Sequence, residues 1–218
     1  MDVDRYLARI GYDGPRAPTL DVLGALQLAH VRAVPFENLD VYARTAVWVG
    51  RDWSIPKIVD RHRGGWCFEL NGAFSALLDA LGFAVTLHSG QVDRGDGVLG
   101  PALDHLVLLV ALELRRFLVD VGFGDSALTP LDLAVTDPQD GIAARYRLAP
   151  LIEDDERAPD TVEMFEGGSL SFGPPSFVAR MPFLRSTLAA TAPASAVSEL
   201  ESLGPSRLQC SDGRSKTP

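Results

Sequence analysis

The residues best suited to chemistry are Arg63-Gly64-Gly65-Trp66-Cys67-Phe68-Glu69-Leu70-Asn71, in which a cysteine follows a glycine pair. Gly64 and Gly65 permit the backbone angles of a sharp turn. Apolar residues then recur at helical spacing until Gly82, which predicts a helix beginning at or beside Cys67. Unpaired N–H groups and the dipole at a helix N-terminus favour a thiolate. The pattern indicates a nucleophilic cysteine, although a small buried core residue is the common alternative.

A thiolate nucleophile needs a base, and the base needs an orienting partner. His105 opens the apolar run 105–112, and Asp120 lies within 117–124, which is predicted to return as the partner strand of a hairpin. A carboxylate among apolar residues is costly to bury without a partner. Asp120 is therefore predicted to hold the ring of His105, which faces Cys67, as in a Cys–His–Asp triad. A structural His–Asp pair near a buried thiol stays open as the alternative.

The elements that must position these residues divide at about residue 85. The pattern before it predicts helices over 2–10, from Thr19 onward, and from Ser54 to the glycine pair, with an extended piece over 48–53. After it, strands are predicted at 83–87, 105–112 and 117–124, with a looser region from Pro130 and a weak strand at 146–148. The strand pattern fades after about residue 165. The fold class is therefore α+β.

Composition narrows the class of protein. The chain has 218 residues, 46% hydrophobic and 22% charged, and a net charge of −9. Those fractions are typical of a globular protein, and the charge argues against nucleic acid or anionic membrane as a partner. No apolar run reaches the ~20 residues of a membrane span. The N-terminus lacks the pattern of a signal peptide, which predicts a cytoplasmic location. Cys67 and Cys210 lack zinc-site spacing, so no metal is predicted.

Several motifs together resemble the arylamine N-acetyltransferase family. They include His30, Val34-Pro35-Phe36-Glu37-Asn38-Leu39, Lys57-Ile58-Val59, the cysteine motif, and the segments beginning at His105 and Leu118. The family's catalytic cysteine, histidine and aspartate fall on Cys67, His105 and Asp120. The resemblance implies a papain-like arrangement of a helical bundle (1–85), a β-barrel (86–175) and a remnant (176–218) of a C-terminal α/β lid, shortened or missing and partly disordered.

The resemblance also implies a reaction and further site residues. Acetyl-CoA would acetylate Cys67, and an arylamine, hydrazine or arylhydroxylamine would then take the acetyl group. Phe36, Val92 and Phe123 would line the aromatic pocket, although core packing is an equal explanation for Phe36 and Phe123. Gly122 and Gly124 would approach the coenzyme, and Arg63, Glu37 and Asn71 would support the site.

An abbreviated lid implies consequences and alternatives. The apolar cleft would be open to water, which predicts weak acetyl-CoA binding, hydrolysis of the acetyl-enzyme, or self-association over the exposed cleft. Two other classes stay open. The triad could serve hydrolysis or acyl transfer on a peptide in another papain-like enzyme. The chain could instead be a catalytically weak or silent ligand-binding relative.

Overall fold

Helices occupy the first part of the chain and strands the second. The computed structural model describes residues 1–92, 98, 100–101, 103–123, 127–142, 144–150, 161–167 and 178–182, with the backbone alone from residue 149 onward. The helices are α1 (Val3–Ile10), α2 (Leu20–Ala33), α3 (Leu39–Tyr42), α4 (Arg51–Ile55) and α5 (Cys67–Ala80). The strands are β1 (Ala84–Val92), β2 (His105–Leu112), β3 (Arg115–Val119), β4 (Leu131–Asp132), β5 (Gln139–Asp140), β6 (Arg145–Pro150), β7 (Thr161–Gly167) and β8 (Val178–Pro182).

The first two helices begin and end where the sequence predicts. Thr19 caps α2, its hydroxyl accepting a hydrogen bond from the Val22 N–H. Gly11 ends α1 in the left-handed region, with φ of 67°, which suits a residue without a Cβ. The apolar faces of α1, α2 and α5 pack together in one core with residues of β2 and β3.

The segment between Trp48 and the glycine pair differs from the prediction. The expected extended piece is wrong over its second half, because α4 begins at Arg51. Its start follows Gly50, whose φ of 144° lies outside the range that other residues readily adopt. A π-helical turn, Pro56–Asp60, continues α4 and closes with the Arg61 N–H bonded to the Pro56 carbonyl at 3.0 Å. We call this segment the π-turn.

The strands form one sheet in the order β4-β3-β2-β1-β8-β7-β6-β5, and every pairing is antiparallel. The predicted hairpin of β2 and β3 is confirmed, with Leu108 opposite Val119. The region from Pro130 is more regular than predicted, because Leu131 pairs with Leu118 as part of β4. β8 pairs with the end of β1, so strand structure continues past residue 165, where the sequence pattern fades.

The predicted barrel is an open, curled sheet. Among the described residues the hydrogen bonds run from β4 to β5 without joining these two edges, so no closed barrel forms. The sheet nevertheless folds over a second core, in which Tyr146 and Leu148 of β6 pack with Val107 and Leu109 of β2. The coarse α+β class is confirmed.

The predicted C-terminal remnant over 176–218 lies outside the described residues, apart from the backbone of β8. Cys210 is among the residues outside them. In the described part of the chain, no helix is long and apolar enough to cross a membrane.

Candidate active site

Cys67 is the first residue of α5, as the sequence predicts, and it is buried. The glycine pair before it serves a different purpose from the one expected, because neither glycine has a positive φ. A Cβ on Gly64 would lie 2.0 Å from the Pro35 carbonyl oxygen, and one on Gly65 would lie 2.8 Å from the Glu69 side chain. The glycines therefore let the strand-like contact between Phe36 and Gly65 form directly before the helix.

The hairpin brings His105 and Asp120 together. His105 opens β2, and Asp120 follows the last residue of β3, so both side chains lie at the same end of the hairpin. The ring Nε2 of His105 donates to Oδ2 of Asp120 at 2.6 Å, and both residues are buried. A buried carboxylate thus has the cationic partner that its burial requires.

Cys67 completes this group, because its charge and hydrogen bonding are among the causes that raise the pKa of His105. Because Asp120 engages Nε2, Nδ1 is the ring nitrogen left to face the thiol. Burial by itself lowers the pKa of His105, but the charge and hydrogen bond of Asp120, with those of Cys67, raise that pKa to about 10. The ring is therefore an imidazolium at neutral pH, beside a cysteine at a helix N-terminus. An imidazolium and a helix N-terminus are the surroundings in which catalytic cysteines are found.

Asn71 and the backbone hold the remaining oxygen of Asp120. Its Oδ1 accepts from Asn71 Nδ2 at 2.8 Å and from the Gly122 N–H at 2.7 Å. Asn71 also donates to the Leu106 carbonyl and accepts from the Val121 N–H. One side chain on α5, a turn beyond Cys67, thereby joins β2 to the segment after β3. The support role predicted for Asn71 has a structural basis in these contacts.

Gln27 is a supporting residue that sequence reasoning missed. It is fully buried on α2, and its Nε2 donates to the carbonyls of Ala127 at 2.6 Å and Asp120 at 3.3 Å. The two carbonyls that accept these hydrogen bonds are about 100 residues away in the chain. The local sequence pattern around Gln27 therefore does not predict them. The available signal is an amide on an otherwise apolar helix face, which must find partners when buried.

The three residues predicted to line the aromatic pocket differ in how they lie relative to His105. The ring of Phe123 meets that of His105 edge to face, with centroids 5.0 Å apart. Phe36 is 45% exposed, which argues against the alternative that it is a core residue. Val92 lies two residues past Gly90, the residue paired with His105. Of the predicted coenzyme-contacting glycines, Gly124 lies outside the described residues.

Glu37 and Arg63, which the resemblance implies support the site, form an ion pair at 2.7 Å. The structure adds three residues to it, because Arg63 also bonds Asp40, and the buried Lys57 bonds both Asp40 and Glu69. We call these five residues the ion cluster. It lies beside the start of α5, where Glu69 is the third residue. Within the described residues, no group of three or more His, Cys, Asp or Glu side chains could hold a metal ion.

Gly122 packs so closely on α5 that we expect Gly122→Ala to disrupt the site. The added Cβ would lie 2.8 Å from Cys67 Cα and 2.7 Å from Asn71 Nδ2, so the backbone must shift. We expect a loss of stability of roughly 1–3 kcal/mol, as for overpacking in a core, and slower alkylation of Cys67 by iodoacetamide. Gly72→Ala is the control, because its Cβ would meet nothing within 4 Å. Equal alkylation rates in the two variants would contradict this prediction.

Comparison with known protein families matches the part of the chain that contains Cys67, His105 and Asp120. A family model described as N-acetyltransferase matches residues 19–163. The arylamine N-acetyltransferase of Mycolicibacterium smegmatis is 44% identical over 154 residues, which cover 68% of this chain and 56% of that relative. The Escherichia coli arylamine N-acetyltransferase is 39% identical over 151 residues, covering 67% and 52%. The chain thus spans just over half the length of these relatives.

Solved structures give the same picture. The crystal structure of Nocardia farcinica arylamine N-acetyltransferase matches with a TM-score of 0.73 at 36% identity, covering 85% of this chain and 64% of that one. The Mycobacterium marinum arylamine N-acetyltransferase in complex with CoA matches with a TM-score of 0.71 at 31% identity, covering 84% and 66%.

Proposed function

This chain belongs to the arylamine N-acetyltransferase family, and on that premise we propose that it transfers an acetyl group from acetyl-CoA to an arylamine, hydrazine or arylhydroxylamine through a thioester on Cys67. The observation that carries the proposal is the buried hydrogen bond between His105 and Asp120, together with the effect of Cys67, at the N-terminus of a helix, on the pKa of His105. The CoA complex of the Mycobacterium marinum relative supports the choice of donor.

In the first half-reaction, the thiolate of Cys67 attacks the acetyl carbonyl carbon. The bond between that carbon and the coenzyme sulfur breaks, and the coenzyme leaves as a thiol by taking the proton of His105. In the second, the amine nitrogen attacks the thioester carbonyl, His105 takes the amine proton, and Cys67 leaves as a thiolate. The two halves return the site to its starting charge.

The pKa of His105 suits both halves. The charge and hydrogen bond of Cys67 are among the causes that raise that pKa to about 10. Acetylation removes the thiolate charge, so the pKa of His105 falls at the step in which the ring must release its proton. Asp120 remains paired with Nε2 throughout and keeps the ring oriented.

The family layout and the setting of the protein complete the proposal. We assign the helices that carry Cys67 and the sheet that carries His105 and Asp120 to the first two parts of a papain-like arrangement. Phe36, Val92 and Phe123 are proposed to line the acceptor pocket, the exposure of Phe36 being consistent with this. A cytoplasmic location and self-association over an open cleft stay predictions.

Gly122 fits the coenzyme role less directly than the sequence suggests. Its N–H already donates to Asp120, and its missing side chain is required by Cys67 and Asn71. Both features explain the glycine without a coenzyme contact. We therefore propose the Gly122 carbonyl as the group available to a coenzyme there.

Intact-protein mass spectrometry after brief mixing with acetyl-CoA tests the proposed function. We expect a single acetyl adduct, which is absent in Cys67→Ala and disappears when an arylamine such as aniline is added. No adduct on the folded wild-type protein would overturn the proposal. An adduct that decays equally fast without amine would overturn the acceptor assignment and favour hydrolysis.

A further inference from the structure

Lys57 is a buried lysine paired with Glu69 in the first turn of the helix that carries Cys67, and the proposed mechanism does not use it. Its side chain is 2% exposed. Its Nζ lies 2.8 and 3.0 Å from the two carboxylate oxygens of Glu69 and 2.7 Å from Asp40 Oδ2. Removing an ammonium group from water is costly unless carboxylates surround it, so this placement calls for an explanation.

The π-turn delivers Lys57 to this position. Lys57, Ile58 and Val59 are all buried, and the two apolar side chains belong to the main core. The turn is wider than an α-helical one, with the Arg61 N–H bonded to the carbonyl five residues back. The lysine is thereby buried alongside its apolar neighbours and reaches the ion cluster. Isolated π-helical turns inside helices occur frequently at functional sites.

Glu69, the main partner of Lys57, caps the helix that carries the nucleophile. As the third residue of α5, it accepts from the Trp66 N–H at 3.2 Å and from Trp53 Nε1 at 2.9 Å. The cap ties down the backbone immediately before Cys67. A carboxylate in the same helical turn as a thiolate, however, is a like charge that disfavours the anion.

We infer that Lys57 is a positioning residue: it neutralises Glu69, so that this carboxylate can cap α5 without opposing the thiolate of Cys67. The inference rests on the proposed function, in which that thiolate attacks the acetyl donor. The ion cluster contains two cations and three carboxylates, so it has an excess of one negative charge. Without Lys57 the excess would be two negative charges, adjacent to the first turn of α5.

Charged groups from several elements lie around the start of α5 and the His105–Asp120 pair. They are His105 on β2, Asp120 after β3, Glu69 on α5 itself, and the remaining members of the ion cluster, Glu37, Asp40, Lys57 and Arg63. His105 and Asp120 are unchanged in every variant below, so they contribute equally to each measurement.

The pH dependence of Cys67 alkylation by iodoacetamide tests the inference. It is measured in a Cys210→Ser background, so that Cys67 is the single thiol. We expect Lys57→Met to move the midpoint of the rate–pH profile upward by about one pH unit, the lower end of the effect of a nearby charge. Below the midpoint the rate then falls about tenfold. Glu69→Gln keeps an acceptor for Trp66 but removes the charge, so its midpoint stays at or below that of wild type.

The double variant Lys57→Met/Glu69→Gln separates neutralisation from general support. We expect its midpoint to return towards the wild-type value, because both charges are gone. A double variant with the midpoint of Lys57→Met would overturn the inference, as would an unshifted midpoint in folded Lys57→Met. If Lys57→Met does not fold, the Glu69→Gln variant is the test. An alkylation midpoint of Glu69→Gln above that of the wild-type protein would overturn the inference that Lys57 neutralises Glu69.

Asp132→Asn is the matched control. Asp132 is also a buried carboxylate with a basic partner, Arg115, but it lies on β4, at the edge of the sheet. We expect this variant to lose stability without a change in the alkylation midpoint of Cys67. A shift of that midpoint as large as the shift in Lys57→Met would overturn the inference. Alkylation needs neither acetyl-CoA nor an amine, so a wild-type protein that forms no acetyl adduct would refute the proposed function without affecting this result.

Discussion

Asparagine in place of Asp120 will slow acetylation of Cys67 by roughly 10³- to 10⁴-fold, the loss typical when the carboxylate of a catalytic triad becomes an amide. The reason lies in the two oxygens. Oδ1 accepts from both Asn71 Nδ2 and the Gly122 N–H, so an asparagine must keep its oxygen there. Its NH₂ group then faces His105 Nε2, which donates to Oδ2 in the wild-type protein.

Two donors cannot share that position, so the ring of His105 must give up its Nε2 proton and becomes neutral, with its one remaining proton on Nδ1. That nitrogen then faces Cys67 as a donor without the charge of an imidazolium, and it can no longer stabilise the thiolate as an ion pair. The substitution therefore turns Nε2 from a donor into an acceptor and removes the positive charge of the ring, while leaving the shape of the site nearly unchanged.

Single-turnover release of CoA, with folding checked by circular dichroism, measures the effect. Asp132→Asn again serves as the control, because it makes the same chemical change in a buried aspartate on β4. We expect Asp132→Asn to keep acetylation within a few-fold of wild type. A folded Asp120→Asn protein that is less than tenfold slower would contradict the orienting role of Asp120.

The parts of the site that the sequence predicts are those with local signals. The start of α5 follows from apolar spacing after a glycine pair. The contact of His105 with Asp120 follows from a hairpin whose two strands are separated by a short turn, because antiparallel pairing then sets which residues meet. A buried aspartate in an apolar strand also signals a partner. Those local signals point to Cys67, His105 and Asp120, and the family resemblance is what favours a triad over a structural His–Asp pair.

The parts that the sequence does not predict depend on distant contacts. Lys57 reaches the ion cluster because of a π-turn, for which Pro56 is a weak local indication. Gln27 bonds carbonyls about 100 residues further along the chain. β8 pairs with Gln91 and Val92 of β1, although the other six strands lie between β1 and β8 in the chain. Gly64 is required by the Pro35 carbonyl rather than by its own φ, and only three-dimensional proximity reveals that.

Folding stability will depend on pH through His105, and the direction follows from its pKa. In the folded protein that pKa is raised to about 10, whereas an unfolded histidine titrates near 6.5. Above pH 6.5 the folded protein therefore holds a proton that the unfolded chain has lost, and stability declines with rising pH. The stabilisation is complete below 6.5 and is lost as the pH approaches 10.

The contribution of His105 to the pH dependence of stability is best measured in a variant that lacks the Cys67 thiol. If the folded protein holds a thiolate–imidazolium pair, its extra proton on His105 is offset by the proton missing from Cys67 while the unfolded thiol remains protonated. Cys67→Ala removes this compensation and keeps Asp120, which precedes Cys67 among the groups that raise the pKa of His105. Burial lowers the pKa values of His30 and His88 to about 3 and about 4. These two residues therefore add a rising slope only where the unfolded histidines still bind protons, which ends at about pH 7.5.

Urea unfolding of Cys67→Ala between pH 7.5 and 9, above the titration of unfolded histidines, is the measurement. We expect the free energy of unfolding to fall across this range by about 2 kcal/mol, since one proton gives a slope of about 1.4 kcal/mol per pH unit. The double variant Cys67→Ala/His105→Gln should show a nearly flat profile over the same range, because it lacks the titrating ring. If the two profiles decline in parallel, the proton on His105 is not held by Asp120, and the charge state on which the proposed mechanism depends would have to be abandoned.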